Sequence, residues 1–132
     1  MTAAKLDPNA YPRLAGDYST ALGESGMEAL LTCHPRPTAV VAGNDEIAIG
    51  VIRTLKRVGL TVGQQVSVIG FDDQRIASLY EPALTTVRVP TEELGYQSAM
   101  LLIQQLAGAE QQEDLVLPTA LVIRDTTGMA PV

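Results

Sequence analysis

The fold is decided by the stretch from Val66 to Pro90, VSVIGFDDQRIASLYEPALTTVRVP. Its first part, from Val66 to Phe71, is a short and mostly apolar run, which is typical of a strand buried in a parallel sheet. Two carboxylates follow this strand directly. A short helix near Gln74 to Leu79 and a further strand over Leu84 to Val89 complete the stretch. Strand, helix and strand therefore follow one another within 25 residues.

The same alternation continues on both sides of this stretch. The sequence predicts a helix over about Thr20 to Leu31 with Ser19 as its N-cap, a strand over Thr38 to Ala42 buried on both faces, a helix from Asp45 to Val58 closed by Gly59, a helix over about Glu92 to Ala107 capped by Thr91, and a last strand over Leu121 to Arg124. Alternating strands and helices indicate a layered α/β fold with a mostly parallel sheet.

Composition narrows the class of protein. The chain has 132 residues, 46% of them hydrophobic and 18% charged, which fits one soluble globular domain. Its longest apolar runs, such as Ala99 to Ile103, are far shorter than the roughly 20 residues needed to span a bilayer. The N-terminal residues contain no apolar signal-peptide region, so we expect a cytoplasmic protein without membrane contact.

Charge and residue types argue against several other classes. The net charge is −6, and the nine Lys and Arg residues are scattered, so these residues do not predict a nucleic-acid surface. Cys33 cannot form an internal disulfide, and with His34 as the single histidine no metal-ligand cluster can be built. No Ser-His-Asp set, phosphate loop or glycosidase-like pair is present. We expect no enzyme activity, no metal and no cofactor.

Polar residues follow two of the predicted strands. Asn44 and Asp45 come after the first strand, and Asp72 and Asp73 come after the second. Ligands of open parallel sheets bind at the carboxyl ends of the strands, and carboxylate and amide groups suit the hydroxyls of a sugar or nucleoside. The sequence predicts ligand contacts by Asp72, Asn44 and Asp45.

Two further features bear on this candidate site. Tyr18 could offer an aromatic face to a ring, and glycines at positions 43 and 70 would let a ligand approach the backbone closely. The structural alternative is that Asn44 and Asp45 cap a helix and that Asp73 caps the short helix after it.

The chain resembles the effector-binding domain of lactose-repressor-type (LacI/GalR) transcription regulators. The resemblance runs from Gly16 to about Thr127, and it depends on the motifs GDYS, PTAVVAGNDEIAIG, GLTVGQQVSVIGFDD, PALTTVRVP and LVIRDTT in combination. It implies a three-layer, periplasmic-binding-protein-like (flavodoxin-like) lobe that is incomplete at its N-terminal side. Residues 1–12 would be a loop or remnant, 13–90 the C-terminal lobe, 91–118 a crossover helix and loop of the other lobe, and 119–132 a return strand and tail.

The resemblance also implies roles for single residues. In the family, the Asp that matches Asp72 holds sugar hydroxyls or a purine, the Asn that matches Asn44 lies beside it, and the Arg that matches Arg124 is structural. The expected effector is thus a small sugar or nucleoside-like molecule. Family members contact operator DNA through an N-terminal helix-turn-helix domain, which these residues do not include.

A dimer face is predicted on two helices. On a helical wheel Val51 and Leu55 lie on the core side, whereas Ile49 falls between Arg53 and Lys56 on the solvated side. In the family the corresponding positions belong to the subunit interface. The predicted interface residues of a homodimer are Ile49, Ile52, Ile76 and Tyr80.

The helix over Glu92 to Ala107 is apolar nearly all round, so we expect it to be covered on more than one side. The resemblance implies that it belongs to the other lobe. We predict that it is covered by a partner chain or by rearranged packing within its own chain.

Two other functions remain open at this point. A transport solute-binding protein would share the two-lobed fold, although the absence of a signal peptide argues against it. A receiver-like enzyme could use Asp72 and Asp73 to hold Mg²⁺. Such a site also needs a third Asp and a Lys at later strand ends, and the sequence lacks them there.

Overall fold

The computed structural model of the chain describes residues 11–108 and 114–130. Its elements are α1 (Thr20–Leu31), β1 (Ala39–Val41), α2 (Asp45–Arg57), β2 (Ser67–Asp72), α3 (Arg75–Leu79), β3 (Thr85–Arg88), α4 (Thr91–Leu106) and β4 (Ala120–Val122). Each predicted helix and strand is present, with ends that differ by at most two residues from the prediction. Most of the loop or remnant predicted at residues 1–12 lies outside the described residues.

The four strands form one sheet in the order β1-β2-β3-β4. Strands β1, β2 and β3 are parallel, with Val41 opposite Ile69 and Asp72 opposite Arg88, and β4 is antiparallel to β3. The α/β class with a mostly parallel sheet is confirmed. Because the first three strands are parallel neighbours, their carboxyl ends lie together at one edge of the sheet.

The helix ends follow from their capping residues. The Ser19 hydroxyl accepts a hydrogen bond from the amide of Leu22, and the Asn44 side chain accepts one from the amide of Ile47. Gly59 follows α2 with a φ of 75°, a conformation that favours glycine. The predicted cap of α4 is wrong, because the helix already includes Thr91 and its N-cap is Pro90, which has no side-chain bond to offer.

The core lies between α2 and the sheet. Its fully buried members include Ile52 and Leu55 of α2, Val68 of β2 and Met27 of α1. The apolar residues of α2 recur at helical spacing, so one continuous stripe of the helix covers the strands.

Helices α1 and α2 approach each other through two glycines. A Cβ on Gly23 would lie 2.1 Å from the carbonyl oxygen of Ile47, and a Cβ on Gly50 would lie 2.1 Å from the carbonyl oxygen of Thr20. No larger residue fits at either position without moving the helices apart. By propensity Gly23 only weakens α1, but here it permits direct backbone packing.

The C-terminal segment is bonded into the sheet beside β2 and β3. Thr126 is fully buried. Its hydroxyl donates to the carbonyl of Val68 at 2.7 Å and accepts from the amide of Thr85 at 2.8 Å, while its own carbonyl accepts from the amide of Val68 at 2.8 Å. Three bonds thus connect this one residue to positions more than 40 residues away.

Strand β1 differs from the prediction. It was expected to be buried on both faces, but among the described strands it pairs only with β2, and the side chain of Val41 is 83% exposed. The prediction is wrong because β1 is an edge strand of the described sheet, and an apolar run is buried only where a neighbour covers it.

Helix α4 is the least covered element. It has no buried residue, and Leu102 and Ile103 are 57% and 59% exposed. Rearranged packing within the described chain therefore does not cover it, and the alternative of a partner chain stays a prediction. None of the described helices is long and apolar enough to cross a bilayer.

Candidate ligand-binding site at the carboxyl ends of the strands

The candidate site is the edge where three parallel strands end. Gly43 and Asn44 follow β1, Asp72 ends β2, and Arg88 ends β3 opposite Asp72. The structure thereby brings the predicted polar residues to one edge, as the parallel topology requires.

Asp72 and Asp73 form a turn with unusual backbone angles. Their φ values are 105° and 55°, both in the region that favours glycine. Asp72 is half-buried, and no hydrogen bond or ion pair joins its carboxylate to another residue within 11–108 and 114–130. Positive-φ residues other than glycine concentrate at functional sites, where the surrounding structure holds them in place.

Asp73 is held by two arginines. Its carboxylate accepts hydrogen bonds of 2.6 Å from Arg124 and 2.6 Å from Arg88. Burial alone would raise the pKa of Asp73, but the bonds and charges of Arg124 and Arg88 outweigh it and lower the pKa. The alternative that Asp73 caps α3 is wrong, because the N-cap is Gln74 and no side chain bonds there.

Arg124 has the structural role that was expected. One guanidinium nitrogen donates to the carbonyl of Leu84 at 2.7 Å, and the other donates to Asp73. The residue joins the segment after β4 to the turn after β2.

Asp45 differs from its predicted role. It is fully buried, and both carboxylate oxygens accept hydrogen bonds within the chain, from the amide of Gln74 at 2.7 Å and from the Thr86 hydroxyl at 2.5 Å. The prediction of direct ligand contact is wrong for this residue, because no surface of it is accessible. Burial raises the pKa of Asp45, the bonds from Thr86 and Gln74 act in the opposite sense, and the charges of Asp72 and Asp73 add to the rise.

Gly70 also has a different role from the one predicted. A Cβ at this position would lie 2.3 Å from an oxygen of Asp45. The space beside the β2 backbone is thus filled by the buried carboxylate and is not open to a ligand.

Asn44 and Tyr18 lie beside the end of β1. Asn44 is buried, caps α2 with its oxygen and donates its amide to the carbonyl of Tyr18 at 3.3 Å. The Tyr18 ring lies next to Gly43 and is 69% exposed. Tyr18 is therefore accessible to a ligand, whereas Asn44 chiefly fixes the backbone of its neighbours.

The predicted dimer residues separate into two groups. Ile52 is fully buried in the core, so its assignment to an interface is wrong. Ile49 and Tyr80 are half-buried, and Ile76 is 40% exposed. Leu79, which lies between Ile76 and Tyr80, is 65% exposed on the same short helix. Its spacing of three residues from Ile76 places both side chains on one face of this helix.

The role of Thr86 was also missed. Its hydroxyl is fully buried, donates to Asp45 and accepts from the amide of Asp73 at 3.4 Å. No local pattern reveals this, because the three residues are far apart in the sequence.

The residues do not favour a metal site. Among residues 11–108 and 114–130 there is no group of three or more His, Cys, Asp or Glu side chains placed to hold a metal ion. The Asp73 carboxylate is already paired with two arginines, which argues against the receiver-like Mg²⁺ site.

Comparison with known families identifies the domain type. Residues 1–127 match the family described as periplasmic binding protein-like domain. Among curated relatives, the chain is 34% identical over 102 residues to the lactose operon repressor of Rhizobium radiobacter, covering 77% of this chain and 90% of that protein.

Solved structures agree with this assignment. The Lac repressor dimer bound to operator and the anti-inducer ONPF is 36% identical with a TM-score of 0.80, and the match covers 86% of this chain and 40% of the repressor chain. The LacI family transcriptional regulator from Enterococcus faecium with bound ribose is 30% identical with a TM-score of 0.86, covering 99% of this chain and 48% of that one.

The chain spans less than half the length of both structures, and 29% to 34% of other curated regulators that it matches. These relatives are regulators of transcription, so the solute-binding alternative is not favoured. The chain belongs to the LacI/GalR-type transcriptional regulators, within the part that forms their periplasmic-binding-protein-like effector-binding domain.

Proposed function

We propose that this chain binds a sugar or nucleoside-like effector at the carboxyl ends of β1 and β2, with Asp72 accepting hydrogen bonds from ligand hydroxyls. The observation that supports this most is the Asp72 carboxylate, which is half-buried and unpaired within the described residues, next to an Asp73 that is fully paired. An accessible carboxylate that the fold does not use is suited to a hydroxyl-bearing ligand.

Two further observations support the ligand class. The exposed ring of Tyr18 lies beside the same edge and offers an apolar face to a sugar or base. The regulator from Enterococcus faecium was solved with bound ribose. Asn44 positions Tyr18 through its bond to the Tyr18 carbonyl.

The effector site is tested with the Asp72→Ala variant. The parent chain is titrated calorimetrically with D-ribose, hexoses and purine nucleosides, and the tightest of these is used for the variant. Removing hydrogen bonds to a charged group should cost about 1.5–3 kcal/mol of binding free energy.

The control is Glu92→Ala, which removes the same charge from the surface of α4 and should bind as the parent does. Equal affinity of Asp72→Ala and the parent would remove Asp72 from the site. Failure of the parent to bind any sugar or nucleoside would refute the ligand class.

The proposal includes a homodimer whose face contains Ile49, Ile76, Leu79 and Tyr80. Ile76 and Leu79 expose apolar surface side by side on α3, and the Lac repressor relative was solved as a dimer. Tyr80 is held beside this surface by Lys56, whose ammonium lies 5.6 Å from the ring centre.

The dimer face is tested with Ile76→Glu, which places a charge on this surface. Sedimentation velocity should change from dimer to monomer, because burying an unpaired charge is costly. Leu102→Glu on α4 is the matched control. If Leu102→Glu alone dissociates the dimer, the interface is formed by α4 and the proposed face is wrong.

Other properties complete the proposed function. The protein would act in the cytoplasm without catalysing a reaction. Operator DNA would be contacted by a separate DNA-binding domain, because these 132 residues carry a net charge of −6 and phosphate contact needs clustered cations. Effector binding and DNA contact would thus lie in different domains, whichever effector binds.

A further inference from the structure

The turn that carries Asp72 is bonded to a buried pair of side chains. The amide of Gln74 donates to one oxygen of Asp45 at 2.7 Å. The amide of Asp73 donates to the hydroxyl of Thr86 at 3.4 Å, and that hydroxyl donates to the other oxygen of Asp45 at 2.5 Å. Both amides that follow Asp72 therefore end on Asp45 and Thr86.

The buried pair and the turn come from three different elements. Asp45 begins α2, Thr86 lies in β3, and the turn follows β2. Their hydrogen bonds join positions 13, 29 and 41 residues apart in the chain. A shift of any one element would break a bond at the turn. Asp45 and Thr86 therefore fix the positions of α2, β3 and the turn relative to one another.

The site is built to admit this carboxylate. Gly70 leaves the space that Asp45 fills, since a Cβ there would lie 2.3 Å from the carboxylate. Burying a carboxylate is costly unless its oxygens are fully hydrogen-bonded. An apolar residue would fill the same space at lower cost, but it could not accept the bond from Gln74.

The backbone conformation at Asp72 needs support from hydrogen bonds of this kind. A φ of 105° at a residue other than glycine is held only when the surroundings determine it. The residues immediately after Asp72 are the ones bonded to the buried pair, whereas the Asp72 carboxylate is left free of bonds within the described residues.

We propose that Asp45 and Thr86 are positioning residues, which hold the Asp72–Asp73 turn in its positive-φ conformation and so present the Asp72 carboxylate to the effector. The positioning is a property of the ligand-free protein, whereas its effect on affinity rests on the proposed function. Neither residue touches the ligand.

The test uses two variants at one buried position. Thr86→Val keeps the shape of the side chain and removes the hydroxyl, and Thr86→Ser keeps the hydroxyl. In the full ligand-free chain, amide hydrogen exchange by NMR should become about tenfold faster at Asp73 and Gln74 in Thr86→Val, because one bond contributes about 1.4 kcal/mol. Exchange at these amides in Thr86→Ser should remain close to that of the parent.

A control separates positioning from a general loss of stability. Val66→Ala removes fully buried volume just before β2, at the end away from the turn. It should lower the melting temperature without a selective change at the amides of Asp73 and Gln74. If Val66→Ala and Thr86→Val accelerate the same amides equally, Thr86 is only structural and the inference is overturned.

Calorimetry with D-ribose, or with the tightest ligand of the sugar and nucleoside series, gives the second readout. Affinity should fall about tenfold in Thr86→Val and be restored in Thr86→Ser. If the parent binds no such ligand but the amides of Asp73 and Gln74 exchange selectively faster in Thr86→Val, the proposed function is refuted and the positioning role stands. If the parent binds the ligand and Thr86→Val binds it with the same affinity, the effect on the ligand is refuted. If amide exchange at Asp73 and Gln74 is the same in Thr86→Val as in the parent, the positioning role itself is refuted.

Discussion

Helices α2 and α4 are both rich in apolar residues, yet they differ completely in burial. Seven of the thirteen residues of α2 are buried, whereas none of the sixteen residues of α4 is. The apolar residues of α2 form a stripe towards the sheet, and Gly50 lets the backbone of α1 approach α2 closely. Those of α4 are spread around the helix. Burial thus depends on a matching neighbour as well as on apolar content.

The largest expected effect compares two leucines. Leu55→Ala in α2 removes a fully buried side chain and should lower the free energy of unfolding by about 3–4 kcal/mol. Leu102→Ala in α4 removes a mostly exposed one and should change it by less than about 0.5 kcal/mol. Urea denaturation measures both. Equal losses would mean that α4 is buried in solution, which would contradict the difference in burial between α2 and α4.

The second largest effect is expected for two glycines inside the same helices. Gly50→Ala should destabilise the chain by about 2–3 kcal/mol, because its Cβ has no space beside the Thr20 carbonyl. Gly95→Ala should stabilise it by about 0.4–1 kcal/mol, because no atom beyond the adjacent helix backbone lies within 4 Å of the added carbon and alanine favours the helix. Opposite shifts in melting temperature are expected, and shifts of the same sign would contradict the packing described for α1 and α2.

A smaller effect is expected in the pH dependence of stability that Asp73 contributes. The pKa of Asp73 is lowered in the folded chain, so its contribution is present above the ordinary pKa of about 3.9 and is lost as the pH falls through the folded value. Asp73→Asn should cost about 1.5–2 kcal/mol at neutral pH. The difference from the parent should be constant between about pH 5 and pH 7 and shrink below about pH 4.

Urea denaturation across this pH range measures the difference, and α4 provides the contrast. Asp45 titrates in the opposite sense, because burial raises its pKa, but it is present in both proteins and largely cancels. Glu93→Gln on the exposed surface of α4 is the matched control, because no arginine pairs with this carboxylate among the described residues. If the difference in unfolding free energy between the parent and Asp73→Asn persists to pH 3, the bonds from Asp73 to the arginines are not what stabilises the folded chain.

The elements were predictable because local chemistry determines them. Ser19, Asn44 and Gly59 marked helix ends correctly, and the alternation of strands and helices gave the class of fold. The exposure of Val41 was not predictable, because it depends on whether a neighbouring strand is present.

The site was predictable in part. The strand-end rule predicted that Asn44, Asp72 and Asp73 lie together where the parallel strands end, and they do. Contact of Asp72 with a ligand stays a prediction. The roles of Asp45 and Gly70 were not predictable, because the partners of Asp45 are 29 and 41 residues away in the sequence. Local patterns contain no information about bonds of that range.

The three bonds of Thr126 have a consequence for synthesis on the ribosome. Val68 and Thr85 leave the exit tunnel well before Thr126, and until it emerges their backbone groups lack these partners. Contacts of such sequence separation also form late because a long loop must close first. These backbone groups of Val68 and Thr85 would therefore stay unpaired in the nascent chain until Thr126 is made, an interval in which they are open to pairing with other chains.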